Sequence, residues 1–236
     1  MILSAISTAV LAKLLADQGT NSFWDATSIQ TDCNWLYIDT AETTRCLKKR
    51  DTSTNTVVDT ARYVIPIAGS VGKIIGLVAV EYDKKPIPFY SVAQLDAMFD
   101  DWRNLDSADT PIGCTYDVGD EDVAITLVPK SGAVAELAMS FIYIPVELAV
   151  GDTPVHPFDD GRILIDGLMS MQLSKPGGGR DLDRADFYFG QFMSKIMNLT
   201  TRHKGFGVRG LKSIEDVSSR VGGNVRLPDH YPHYEF

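Results

Sequence analysis

The stretch "WRNLDSADTPIGCTYDVGDEDVAITLVP", residues 102–129, has the most regular pattern in the chain and decides its fold class. A tryptophan closes a helix-like segment, Thr110-Pro111 opens a strand near 112–117, an acidic turn follows, and a second strand spans 122–128. Short strands separated by turn signals are typical of an antiparallel sheet or a small sandwich. The stretch therefore predicts an antiparallel β region.

The β pattern continues on both sides of this stretch. "VVDTARYVIPI" (57–67) and "KIIGLVAVEY" (73–82) are rich in β-branched and aromatic residues, and they predict two strands joined by the turn "AGSVG". A further strand is expected at 134–144. The segment "SVAQLDAMFDDW" (91–102) predicts a short helix that Ser91 caps. Its inner face is expected to carry Leu95, Met98 or Phe99, and Trp102.

Apolar residues recur at helical spacing before these strands. Leu3, Ile6, Val10 and Leu14 predict an amphipathic first helix. A secretory signal peptide is the alternative for this segment. The helix is favoured because no basic residue precedes the apolar run and Lys13 interrupts it.

A second helix is expected to begin after Asp25, which can cap it, and to end in the basic run Lys48-Lys49-Arg50. Basic residues are favourable at a helix C-terminus, where the helix dipole is negative. The next segment, "DTSTNT" (51–56), predicts a polar loop. The inner face of this helix follows steps of three and four residues and consists of Ala26, Ile29, Cys33, Leu36, Thr40, Thr44 and Leu47.

Helix returns after the strands. A helix with apolar residues on most sides is expected from about residue 158, buried between neighbours, and the glycines at 177–179 break it. Asp181 or Asp183 can cap the next helix. Beyond Gly205 the periodicity fails. The inner stripe of this last helix is Ala185, Phe189, Phe192, Ile196 and Leu199.

These elements predict an α+β fold with four parts. Helices in residues 1–50 and helices in residues 156–204 are expected to form one antiparallel helical bundle. An antiparallel β-sheet or sandwich domain, residues 51–155, is inserted between them. Residues 205–236 are rich in glycine and end in aromatic residues, and they predict an extended C-terminal arm that becomes ordered on a partner.

Composition excludes several functions. The net charge of −9 argues against a general nucleic-acid binder, which normally presents a basic surface. The three cysteines are odd in number and widely spaced, which favours reduced, buried thiols in a cytosolic product over a disulfide framework. Since no segment approaches the ~20 apolar residues of a membrane span, no membrane partner is expected.

Two glycine-rich motifs resemble nucleotide-binding loops, but their contexts are wrong. "GFGVRG" (205–210) matches the dinucleotide fingerprint in its letters, yet it follows a helix instead of a strand. It is interpreted as a hinge. "KPGGGR" (175–180) lacks the Gly-Lys-Ser/Thr of a phosphate loop and predicts a connection between two helices. No cofactor is therefore expected.

Three sets of residues are candidates for catalysis or metal binding. His156 lies near Asp159 and Asp160, which also suit capping of the following helix. His230 and His233 would need two more ligands to hold zinc. The three cysteines would need a nearby histidine to act as nucleophiles and are interpreted as core residues. The sequence therefore predicts neither an enzyme nor a metal site.

Residues near the C-terminus are the candidates for partner binding. The basic residues Arg202, Lys204, Arg209 and Lys212 occur with no acidic residue between them. They indicate either a solvated helix end or a docking surface for an acidic partner or for passing DNA. Aromatic side chains are favoured anchors at interfaces, and the tail supplies Tyr231, Tyr234 and Phe236.

The order of features along residues 1–204 is itself informative. A helical N-terminal part leads through "YVIPI" (63–67) into strands. A short helix ending in Trp102, then Thr110-Pro111 and a strand follow it. The remaining markers are "VAITLVP" (123–129), "FIYIPVEL" (141–148), Pro154, Pro157, Phe158-Asp159-Asp160 and "RADFYFGQFMSKI" (184–196).

This order resembles the adaptor proteins that join the portal to the tail in short-tailed bacteriophages, the group that includes tail tubular protein A. In that family a "Y-x-hydrophobic-P" motif leads from the helices into the strands, and "YVIPI" occupies that place here. The segment "CLKKRDTSTNT" (46–56) and residues 205–236 have no counterpart in the resemblance.

The resemblance implies a structural role in the virion neck for a protein made in the host cytoplasm. Copies would form a ring, twelvefold in that family, beneath the portal protein. The ring would extend the DNA channel and present a platform for the tail tube or nozzle protein. An acidic protein also suits a channel through which DNA passes transiently.

Two other classes of function remain open from the sequence. A secreted or surface binding module, whose β-domain recognises a carbohydrate or a protein, predicts a cleaved N-terminus, an exposed aromatic patch on the sheet and no ring. An enzyme that uses His156 with Asp159 or Asp160 predicts loss of turnover when His156 is replaced by alanine.

Overall fold

Helices and antiparallel sheets combine in one α+β fold, as the sequence predicts. The computed structural model describes residues 1–18, 24–65, 67, 69–118, 123–177 and 179–204. Residues 205–236, which the sequence predicts as an arm, lie outside the described residues. The proposed boundaries of the four parts of the chain stay predictions.

Five α-helices fall in the described residues: α1 Leu3–Gln18, α2 Ala26–Thr44, α3 Val92–Met98, α4 Arg162–Ser174 and α5 Leu182–Lys204. Strands β1 Lys48–Asn55, β7 Glu136–Pro145, β3 Val71–Tyr82 and β4 Lys85–Ile87 make one sheet in the order β1-β7-β3-β4. Strands β2 Arg62–Val64, β6 Val123–Val128 and β5 Gly113–Val118 make a second sheet in the order β2-β6-β5.

The prediction for residues 45–56 is wrong. Helix α2 ends at Thr44, where Arg45 takes a left-handed conformation with φ 50°, and the run Lys48-Lys49-Arg50 opens strand β1. The predicted polar loop 51–56 is largely part of the same strand. Strand β1 has no apolar alternation because it is an exposed edge strand. Its stability comes from pairing with β7, which sequence periodicity does not reveal.

The predicted strand 57–67 is also shorter than expected. Only Arg62–Val64 forms a strand, and it pairs with β6. The preceding residues turn back on themselves around the buried ring of Tyr63. Its hydroxyl accepts a hydrogen bond from the amide of Val57 at 3.0 Å and lies 2.9 Å from the carbonyl oxygen of Thr60. A phenol that bonds the local backbone favours a turn over an extended strand.

The remaining strand predictions are close to the structure. The expected strands at 73–82, 112–117, 122–128 and 134–144 correspond to β3, β5, β6 and β7. Strand β7 is the central partner of its sheet, since β1 and β3 both pair with it in antiparallel register. The larger sheet is thus built around β7, the last strand in the described part of the chain.

The predicted helix 91–102 is two elements. Helix α3 ends at Met98, and Trp102 begins a 3₁₀ turn, Trp102–Asn104. Leu95 and Trp102 are buried as expected, and they form a small cluster with Val128. Of the two candidates for the inner face, Phe99 packs on this cluster and Met98 is exposed.

The inner faces of the long helices match the sequence closely. All four stripe residues of α1 are buried, and Asp25, Ser91 and Asp181 each cap the helix that they precede. In the stripe of α5, Phe189 is only half-buried. Helix α4 packs against α1, α2 and α5 and is buried on most sides. One continuous hydrophobic core contains residues from these helices and from both sheets.

Candidate functional site

The predicted basic patch begins at the end of the described chain, and the predicted aromatic anchors lie beyond it. Arg202 and Lys204 belong to the last turn of α5. Arg209, Lys212, Tyr231, Tyr234 and Phe236 lie outside the described residues. Their role in partner binding stays a prediction, as does the hinge at 205–210.

His156 and its acidic neighbours form a solvated group. The Nδ1 atom of His156 lies 3.3 Å from Oδ1 of Asp159, and 84% of the His156 side chain is exposed. The carboxylate of Asp160 accepts a hydrogen bond from the amide of Arg162 at 2.9 Å, in the first turn of α4. Catalytic acids and bases are usually tuned by burial, which this histidine lacks. The predicted capping is therefore confirmed only for this one bond of Asp160, since the N-cap residue is Gly161 and the first turn of α4 has no acidic residue.

The three cysteines are free and buried. Burial raises the pKa of the Cys114 thiol to about 12, and burial together with the charge of Asp32 raises the pKa of Cys33 to about 12. Burial also raises the pKa of Cys46, partly offset by its hydrogen bond to Thr44. Reactive cysteines have lowered pKa values, so these thiols are in the opposite environment. The prediction that the three cysteines are buried in the core is confirmed.

Metal-ligating side chains are scattered in the part of the chain that the structure describes. No group of three or more His, Cys, Asp or Glu side chains there could hold a metal ion. The pair His230 and His233, weighed above for zinc, lies outside the described residues.

A cleft of about 510 Å³ opens beside strand β5. The rings of Phe89 and Tyr116 pack edge to face with their centroids 5.7 Å apart, an arrangement that aromatic pairs favour. Tyr116 is 39% exposed at this surface. The cleft is lined by Phe89, Tyr90, Ser91, Val92, Gln94, Thr115 and Tyr116.

Three local features position the walls of this cleft. The segment 88–90 is bridged to β5: the amide of Cys114 donates to the carbonyl oxygen of Pro88, and the amide of Tyr90 donates to the carbonyl oxygen of Cys114, both at 2.9 Å. Gly113 leaves room for the ring of Tyr90, because a Cβ atom there would lie 2.4 Å from that ring. Ser91 then starts α3 with a complete capping box.

A smaller cleft of about 230 Å³ lies at the end of β3, near Asp83 and Asp109. Its most prominent polar group is the hydroxyl of Tyr82, which donates to the carbonyl oxygen of Asp109 and lies 2.9 Å from the Oγ of Ser131. These bonds join the end of β3 to the loop before β7. The cleft is therefore a structural joint whose main polar group is already bonded.

Helix α5 has apolar side chains on its outer face. Phe187 is 63% exposed and Met197 is 64% exposed. Nine residues lie between them, and Gly190 and Ser194 are among these at helical spacing. Space beside Gly190 is open. On α2, the indole of Trp35 is also exposed.

Sequence reasoning missed both surfaces. Phe187 is adjacent to the inner stripe of α5, and its outward position could have been found by completing the helical wheel through 187, 190, 194 and 197. The cleft had no local signal, because Phe89 and Tyr116 come from segments that meet only through the bridge to β5.

Within the described residues, no helix is both long enough and apolar enough to cross a membrane. No protein-family model matches this chain, and a comparison with curated proteins gives no match either.

Proposed function

We propose that this chain is a structural virion protein, a head-to-tail adaptor that forms a ring between the portal and the tail or nozzle protein. The observation that carries the proposal is the outer face of α5, where Phe187 and Met197 are exposed on either side of Gly190 and Ser194. Exposed large apolar side chains around small residues are typical of a surface that another helix covers.

A ring needs two different faces on each copy, because head-to-tail contacts close by rotation. The face of α5 supplies one, and the exposed Trp35 on α2 is our candidate for the other. In this proposal α1, α2, α4 and α5 form an antiparallel bundle that lies at the contacts between copies. The β domain of residues 51–155 faces outward.

The proposal assigns no catalytic role to the chain. The ring, twelvefold as in the family that the sequence resembles, extends the DNA channel in the virion neck. The net charge of −9 supports passage of DNA without adhesion, since like charges repel. Residues 202–212 are assigned to contacts with the portal or with a neighbouring copy.

Native mass spectrometry of the purified protein, alone and mixed with the portal protein from the same genome, tests the proposal. A large ring, or a complex that forms only with the portal, is expected. A protein that stays monomeric and shows no binding to the portal contradicts the adaptor role.

The second candidate is a binding module of a secreted or surface protein. The aromatic cleft supports it, because aromatic rings such as the exposed ring of Tyr116 and the half-buried ring of Phe89 are common in ligand sites. This candidate expects a monomer that is indifferent to the portal and binds a carbohydrate or a protein at the β domain. A ring-shaped complex with the portal argues against it.

A further inference from the structure

Strand β5 is an edge of its three-stranded sheet, and only part of that edge is covered. In a strand, the backbone groups of alternate residues point to the same side, so Cys114, Tyr116 and Val118 share the outward direction. Cys114 uses its outward amide and carbonyl for the bridge to residues 88–90. The covering segment then turns away at Ser91 to start α3.

The outward edge beyond Cys114 is therefore open in the described part of the chain. No other described segment pairs with the outer side of β5 at Tyr116 or Val118. Open strand edges are templates for another strand, and peptides that add to an edge gain main-chain hydrogen bonds.

The aromatic cleft lies along the same edge. Tyr116 belongs both to the open part of β5 and to the wall of the cleft, where its ring meets Phe89. An added strand would place alternate side chains into this cleft while its backbone pairs with β5. A carbohydrate could use the rings, but it could not extend the row of backbone bonds. The combination of edge and cleft thus favours an extended peptide with aromatic side chains.

This chain carries such a peptide. Residues 230–236 read "HYPHYEF", and Tyr234 and Phe236 are two residues apart, so both fall on one face of an extended strand. Pro232 is compatible with a strand at a sheet edge. The 25 residues 205–229 can span roughly 80 Å when extended. That length exceeds the size of a domain of this mass, whose radius of gyration is about 18 Å.

We propose that residues 230–236 of this chain add as a strand to the outer edge of β5 and place their aromatic side chains in the cleft beside Tyr116. The segment comes from the same copy or from a neighbouring one, and the chemistry is the same in both cases. The inference goes beyond the adaptor proposal, because a binding module could use the same device.

A photo-crosslinking amino acid at Val92 tests this inference in the full-length protein. Val92 lines the cleft and is exposed, so benzoylphenylalanine there samples whatever occupies the cleft. Illumination and peptide mass spectrometry are expected to find crosslinks to residues 230–236. Crosslinks that reach only other parts of the chain, or a bound molecule of another kind, overturn the proposal.

An equal mixture of ¹⁵N-labelled and unlabelled protein identifies the source of the segment. Crosslinks between labelled and unlabelled peptides assign it to a neighbouring copy, whereas crosslinks within one label assign it to the same copy.

The double variant Tyr234→Ser with Phe236→Ser tests whether these two aromatic side chains hold the segment in the cleft. It should lower the crosslink yield at least fivefold, because it removes the side chains assigned to the cleft. The control, Val221→Ser with Val225→Ser, changes two apolar residues of the same tail outside the assigned segment and should keep the yield. Equal yields in the two variants overturn the proposal.

The result is independent of the native-mass measurement. A preparation that binds the portal as a ring but gives no crosslink to residues 230–236 overturns this inference and leaves the adaptor proposal standing. A crosslink at full yield in a monomeric protein that does not bind the portal protein supports this inference and contradicts the adaptor proposal.

Discussion

Gly167 sits where α4 meets two other helices, and it is the residue that sets their distance. A Cβ atom there would lie 2.5 Å from Cδ2 of Leu36 on α2 and 3.0 Å from the ring of Phe192 on α5. Both neighbours are buried, so neither can move freely. Overpacking of this kind typically costs about 1–3 kcal/mol.

We expect Gly167→Ala to lower the free energy of unfolding by about 1 kcal/mol, because a central overpacking cost of about 2 kcal/mol is reduced by a gain of about 1 kcal/mol in helix propensity. The matched control is Gly190→Ala on α5, where a Cβ atom meets nothing within 4 Å. It should raise stability by about 0.5–1 kcal/mol. Urea unfolding followed by circular dichroism measures both, and a neutral Gly167→Ala would show that the three helices are less tightly packed.

The buried thiols predict a loss of stability at alkaline pH. Burial raises the pKa of Cys114 in the folded protein to about 12 from an ordinary value of 9.0. The stability that depends on this neutral thiol is therefore complete below pH 9 and decreases as pH rises towards 12. As pH rises, the thiol loses its proton in the unfolded chain before it does so in the folded protein. Between the two pKa values, the free energy of unfolding falls by about 1.4 kcal/mol per pH unit for each such thiol. Unfolding free energies at pH 8 and pH 10 should therefore fall less steeply in Cys114→Ala than in the unchanged protein. Identical slopes would contradict the assignment.

At the residue scale, the sequence predicts whatever depends on local spacing. Asp25 and Ser91 are the caps that the sequence predicts, and Asp181 is the one of its two candidates that caps α5, because capping needs only a short polar side chain before a periodic segment. The outward position of Phe187 follows only from the complete helical wheel of α5, because the buried stripe does not by itself show which outer residues are apolar. The roles of residues beyond 204 stay predictions.

At the scale of elements, Asp32 connects α2 to the end of α4. Its Oδ2 atom accepts hydrogen bonds from Nε2 of Gln172 and Nζ of Lys175, both at 2.6 Å. The Gln172 side chain is buried, whereas the Lys175 side chain is partly exposed. Removing Asp32 as their acceptor should therefore destabilise the protein by different amounts at the two donors.

Replacing Asp32 by alanine leaves the buried amide of Gln172 without its partner, and we expect a loss of about 1–3 kcal/mol in stability. Lys175→Ala removes only the solvent-screened ion pair and should cost less than about 1 kcal/mol. Thermal unfolding of the two variants measures the difference. Equal losses would mean that the ion pair, and not the buried amide, holds the two helices together.

The elements themselves were predictable where their periodicity is strong. Helices α1 and α5 and strands β3, β6 and β7 have long apolar patterns that bury one or both faces. Strand β1 was not predictable, because its residues are polar and exposed and its pairing partner lies about 90 residues further along the chain. Pairing between distant segments is the information that a single sequence conceals.

At the scale of the whole molecule, the α+β class followed from the order of the patterns, and the surfaces that a partner would cover did not. The adaptor proposal makes the outer face of α5 a contact between copies. Two lysines at that face would leave the monomer folded, because Phe187 and Met197 are mostly exposed. They would, however, place charges in an apolar interface.

We expect Phe187→Lys combined with Met197→Lys to abolish the ring, with the complex with portal lost in native mass spectrometry. Val134→Lys is the matched control, since Val134 is an apolar residue with 70% exposure outside the helices. It should assemble normally. Assembly of the double variant into the same ring would assign the contact between copies to another face.

The position of β7 also constrains how the chain can fold while it is being synthesised. Strand β1, Lys48–Asn55, pairs with β7, Glu136–Pro145, and so does the longer strand β3. While the chain up to residue 145 is still being synthesised, β1 and β3 lack β7, the strand with which both of them pair. Until then the growing chain exposes apolar residues of β3 such as Ile74 and Leu77, which are buried in the finished protein. Closure of the larger sheet therefore waits for the synthesis of β7, and the apolar face of β3 stays uncovered until then.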